Sequence, residues 1–178
     1  MKRKGSYLAA AFNARPFGMP IPPNWFGIRS FALLGALIIP GLSLVGRGVE
    51  DDVKVGPLID ASQRGKVAEL VEDATGKGAQ VLVGGREREG AGYFYEPTVL
   101  GGVSANANLL KEEIFGPVAP VIGFDDEDEA IKAANDTEYG LVAYVYTRDI
   151  KRAFRVVEKL ETGMVGLNQG MVSNAGAP

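Results

Sequence analysis

The sequence predicts an α/β fold over residues 47–178: an open, mostly parallel sheet flanked by helices. Two observations carry this. From Asp51 onward, amphipathic stretches with helical spacing alternate with short runs of branched and aromatic residues. Alternation of that kind builds parallel strands joined by helical crossovers, because each helix covers the sheet that its flanking strands form.

The elements follow in order. "DASQRGKVAELVEDATGKG" (60–78) sets Val67, Leu70, Val71 and Ala74 at i, i+3, i+4 and i+7, one apolar stripe on a helix. Asp60 and Gln63 form a capping pair at its start, and Gly76 or Gly78 stops it. "AQVLVGG" (79–85) reads as a strand ending in a glycine turn, and Thr98 to Leu100 reads as extended. "VAPVIGF" (118–124) reads as a buried strand. "DDEDEAIKAAND" (125–136) is a helix with acids in its first turn, where the helix dipole favours them. "LVAYVYT" (141–147) has the branched and aromatic content of a strand. In "DIKRAFRVVEKLE" (149–161), Ile150, Ala153, Phe154, Val157 and Leu160 share one predicted helical face, and "GMVGLN" (163–168) is a last short strand. The Gly84-Gly85 and Tyr139-Gly140 pairs read as turns, not phosphate-binding loops.

Residues 1–46 follow a different pattern. Pro16, Pro20, Pro22 and Pro23 interrupt the first thirty residues, and neither period is sustained. "FALLGALIIPGLSLVG" (31–46) is apolar, but it falls short of the roughly 20 residues of a membrane span and contains Pro40. The expectation is a Pro-rich, apolar segment, 1–46, either disordered or read out of frame, ahead of a 47–178 domain.

Composition narrows the chemistry. The chain has 178 residues, enough for one domain with a core. With 19 basic and 22 acidic side chains and a net charge of −3, it has no basic excess with which to grip nucleic acid or an anionic membrane. It contains no cysteine, so these residues hold no thiol nucleophile, disulfide or zinc–thiolate site. It contains no histidine, which removes the commonest general base and metal ligand.

"KEEIFGPVAP" (111–120) stands out. Lys111, Glu112 and Glu113 can close a short helix, Gly116 and Pro117 can turn the chain, and Val118 can begin a strand. On this local reading Glu113 is a solvated helix-end acid and Phe115 a core residue. The reading explains the turn, but not an exposed-looking aromatic two residues past a glutamate.

Five blocks address that. "VGPLID" (55–60), "GGREREGAGYFYEPTVL" (84–100), "KEEIFGPVAPV" (111–121), "ANDTEYGLVAYVYTRD" (134–149) and "TGMVGLNQG" (162–170) occur together and in order. In this arrangement the chain resembles the aldehyde dehydrogenase superfamily, nearest its succinate-semialdehyde dehydrogenase branch, over most of that family's catalytic domain. The resemblance implies that Glu113 holds the hydroxyls of the nicotinamide ribose of NAD or NADP, and that Phe115 packs near the nicotinamide ring. A carboxylate can accept two hydrogen bonds from a vicinal diol, and an aromatic face can restrain a flat ring. It further implies that Ser173 in "MVSNAGAP" orients a substrate's distal carboxylate, a small-molecule aldehyde being the substrate. Asn168 and Gly170 are expected to shape the strand end.

The family nucleophile would fall near Pro16, where "NARPFGMPIP" has no cysteine. The expectation is therefore a partial, NAD(P)-dependent aldehyde dehydrogenase chain with no catalytic residue of its own and no activity alone. The resemblance also implies a cytoplasmic protein and pairing of subunits through a sheet edge. Two other readings stay open: a non-catalytic partner of full-length subunits, and a gene fragment without function.

Overall fold

The computed structural model describes residues 7–11 and 45–169. In chain order its elements are β1 (Tyr7–Ala11), α1 (Ala61–Gly76), β2 (Gln80–Val83), β3 (Thr98–Gly101), a 3-10 turn (Asn108–Leu110), β4 (Val118–Val121), α2 (Glu127–Asn135), β5 (Val142–Tyr146), α3 (Ile150–Lys159) and β6 (Met164–Leu167). The described residues divide between Gly123 and Phe124 into two compact units. The expected single sheet is accordingly two three-stranded sheets, β2-β3-β4 and β1-β5-β6. The predicted 118–124 strand stops at Val121, and Asp126 then caps α2 by accepting from the amides of Asp128 and Glu129.

In the unit containing residues 45–123, Asp60 caps α1 by accepting from the Gln63 amide at 2.7 Å. The predicted stripe Val67, Leu70, Val71 and Ala74 is buried, against Tyr95, Leu100, Val103 and Leu109. Each valine or leucine among them contributes about 1.5–3 kcal/mol when fully buried. Strands β2 and β3 pair antiparallel, with an irregularity between Val81 and Val83. Strands β3 and β4 are parallel, Thr98 opposite Val118. Parallel neighbours need a crossover, and residues 102–117 supply it. "KEEIFGP" is the last stretch of that crossover, entering β4 along one flank of α1.

The second unit, with residues 7–11 and 124–169, is parallel throughout: β5 pairs with β1 on one side and β6 on the other. Strand β1 lies inside the 1–46 segment, for which the expectation is disorder or an out-of-frame reading. Five residues, "YLAAA", are too few to display a period. The rest of that segment up to Leu44 lies outside the described residues.

One predicted face is also corrected. In α3 the buried residues are Ala153 and Val156, with Leu160 just past its end, while Ile150 and Phe154 are 65% and 64% exposed. Val156 and Leu160 pack with Ile131 and Ala134 of α2 and Ala143 and Val145 of β5. Arg152 donates to Glu127 of α2 at 2.9 Å, Arg155 grips the same carboxylate, and Lys159 pairs with Asp128. Those three cations share a stripe at i, i+3 and i+7 that joins α3 to α2 beside the buried Ala153 and Val156.

Candidate functional site

The site is built on the crossover between β3 and β4. Its two glutamates have different surroundings. Glu112 is ion-paired to Lys66 of α1 at 2.7 Å. Glu113 is half-buried, and its carboxylate has no hydrogen bond or ion pair among the described residues. Both lone-pair faces of that carboxylate are open to a ligand's donors.

Phe115 is 62% exposed, against 9% for Val121 in the strand that follows. Glu113 is half-buried, less covered than the buried Val121. An aromatic ring left largely in water at the mouth of a strand is the wrong environment for a core residue and the right one for a contact surface.

Helix α1 fixes this loop, which sequence reasoning missed. The Gln63 side chain donates Nε2–H to the Phe115 carbonyl at 3.3 Å. Gly116 lies so close to Val67 that a Cβ there would stand 2.6 Å from Val67 Cγ2. Thr98 donates its amide to the Pro117 carbonyl at 2.8 Å, which joins the loop to β3. The glutamine was legible as part of a helix cap, but its distant partner was not. The ion pair with Glu112 also raises the Lys66 pKa, chiefly through their hydrogen bond.

At the other predicted region, Asn168 takes a left-handed backbone, φ 53°, just past β6. Ser173 and Gly170 lie outside the described residues. Among the described residues, no group of three or more acidic, histidine or cysteine side chains could hold a metal ion. No helix among them is long and apolar enough to cross a membrane.

The chain belongs to the aldehyde dehydrogenase family, whose model matches residues 42–178. Of its relatives, the succinate-semialdehyde dehydrogenase [NADP(+)] of Escherichia coli is 52% identical over 134 residues, covering 75% of this chain and 28% of that protein. The glutarate-semialdehyde dehydrogenase of Pseudomonas aeruginosa is also 52% identical over 134 residues, with the same coverage of 75% and 28%. The 3-sulfolactaldehyde dehydrogenase of Pseudomonas putida is 47% identical over 148 residues, covering 83% of this chain and 30% of that protein. Among solved structures, a succinate-semialdehyde dehydrogenase from Burkholderia pseudomallei superposes with a TM-score of 0.78 at 47% identity, covering 83% of this chain and 30% of the other. The chain thus spans under a third of the length of these relatives. The family match begins at residue 42, and Val45 is buried and bridged to Val55.

Proposed function

We propose that this chain supplies the nicotinamide-ribose clamp and part of the aldehyde-binding wall of a cytoplasmic, NAD(P)-dependent aldehyde dehydrogenase. The observation that carries the reading is the contrast within the glutamate pair: Glu112 is committed to Lys66, and Glu113 is left without a partner beside an exposed Phe115. A nicotinamide nucleotide fits these residues. The free Glu113 carboxylate accepts from the two ribose hydroxyls, and the Phe115 face lies against the ring. The bound nucleotide supplies the hydride acceptor. The chain's own part is orientation, which matters because transfer needs a short, aligned gap.

The substrate class follows from the names of the relatives. Succinate semialdehyde, glutarate semialdehyde and 3-sulfolactaldehyde each combine an aldehyde with an acid group that is anionic at neutral pH. An aldehyde with a distal anion is therefore the proposed substrate class for this chain, with Ser173 orienting the anion by a hydrogen bond. A serine hydroxyl cannot neutralise the charge, so its share is direction more than affinity. The subunits of the complete enzyme are proposed to pair through a sheet edge.

The test is to splice residues 47–178 into the Escherichia coli relative and to measure steady-state oxidation of succinate semialdehyde. Phe115→Ala and Ser173→Ala are then introduced separately. The reading expects Phe115→Ala to weaken the cofactor parameters and Ser173→Ala to weaken discrimination in favour of anionic aldehydes. A spliced enzyme indifferent to both changes would remove the site from this part of the chain.

A further inference from the structure

Helix α1 contacts the crossover at successive points along its length, in opposite chain direction. At its C-terminal end Lys77 donates Nζ–H to the Asn106 carbonyl at 3.0 Å and to Asn108 Oδ1 at 3.2 Å. One turn earlier, Asp73 accepts the Asn108 amide at 2.8 Å. Lys66 then takes Glu112 at 2.7 Å, Val67 packs on Gly116, and Gln63 reaches the Phe115 carbonyl at 3.3 Å. Residues 63, 66, 67 and 73 fall near one face of the helix, since neighbours three and four apart stack above one another. The 3-10 turn and the loop after it are thereby laid along a straight rod.

We infer that α1 is the jig for the Glu113–Phe115 loop, with Gln63 as a positioning residue for Phe115 and Gly116 as the spacer that lets the loop seat against Val67. This deepens the proposed function and rests on it. The contributions differ in kind. Lys66 and Glu112 are both well exposed, and such a pair is worth little on its own. Val67 is fully buried, so the space it leaves at residue 116 is fixed by the core. Gln63 is the single side chain of α1 seen to bond to the backbone of the proposed site, and it does so from the helix's first turn, which Asp60 caps. Phe115 has little packing to hold it, being mostly exposed. Its aim is set by its backbone, and its backbone is held by Gln63.

The test is amide hydrogen exchange, resolved by NMR, on the full 178-residue chain without cofactor. Three amides report the loop: Thr98, bonded to Pro117; Val118, bonded to Gly116 at 2.9 Å; and Glu112, bonded to Asn108 at 3.0 Å. The Ala79 amide, bonded to Ala74 at 3.0 Å beyond the far end of α1, is the control. Gln63→Glu keeps the shape but removes the donor, and should speed exchange at Thr98 and Val118 about fivefold, the worth of one lost hydrogen bond. Gln63→Lys restores a donor and should return both rates to within about twofold of wild type. Gly116→Ala should speed the same amides, and adding Val67→Ala, which removes the clashing methyl groups, should reverse part of that change. Loop rates unmoved by Gln63→Glu, no recovery with Gln63→Lys, or equal acceleration at Ala79 would each overturn the inference. Because exchange is read without cofactor, such a failure leaves the proposed clamp standing, and a failed clamp leaves this measurement intact.

Discussion

The side-chain amide of Asn168 holds both backbone polar groups of Thr147. Its Oδ1 accepts the Thr147 amide at 2.9 Å, and its Nδ2 donates to the Thr147 carbonyl at 2.9 Å. The two residues follow β6 and β5, so one side chain extends the parallel ladder by a rung where the backbone has turned away. That turn is the left-handed conformation at φ 53°, which asparagine tolerates better than most residues.

Asn168→Ala should therefore destabilise the unit by about 2–3 kcal/mol, from two lost hydrogen bonds and an unfavourable backbone. Asn168→Gly should recover about 1 kcal/mol of that, because glycine removes the backbone part alone. Urea unfolding of the three proteins checks both steps. Equal stability of the Ala and Gly variants would show that the left-handed turn contributes nothing.

The acid limb of stability should depend on Glu127. Arg155 first, and then Arg152, hold its carboxyl down at about 2, below the ordinary 4.5 of a glutamate, against the opposing effect of burial. A depressed pKa means that the stabilisation is fully present above pH 4.5 and fades as pH falls toward 2. Arg155 is about half exposed, so solvent screening limits the network to about 1 kcal/mol. Glu127→Gln should lower stability at neutral pH by that amount and flatten the slope between those limits. A variant with the same slope as wild type would detach the acid response from this network.

The 178-residue chain alone should form no NAD(P)H from succinate semialdehyde. The family resemblance implies a cysteine nucleophile, which attacks as a thiolate, and this chain has no cysteine. The assay is absorbance of the reduced cofactor with protein purified away from host dehydrogenases. Turnover that survives that purification would require a nucleophile of another type.

Much of the fold was legible because it is local. The α1 stripe and its Asp60 cap lie within sixteen or so consecutive residues, where helical spacing is decisive. The face of α3 was not legible, since its buried side is defined by packing on α2 and β5, separate elements. Strand β1 is shorter than any window in which a period could be read. The site divides the same way. Glu113 and Phe115 were marked by their motif, whereas Gln63 acts on a residue 52 positions away, and no sequence spacing encodes that pairing.

The two adjacent glutamates are proposed to do different work, one structural and one holding the cofactor. In the spliced enzyme, single-turnover formation of NAD(P)H from succinate semialdehyde measures hydride transfer directly, for Glu113→Gln and Glu112→Gln side by side. A hydrogen bond to a charged group is worth about 1.5–3 kcal/mol, so Glu113→Gln should slow the transfer by about 10- to 150-fold. Glu112→Gln, which breaks only an exposed pair with Lys66, should stay within about twofold of the parent. Equal rates for the two variants, or a Glu113→Gln rate matching the parent, would contradict the account and return "KEEIFGP" to a helix end and a turn.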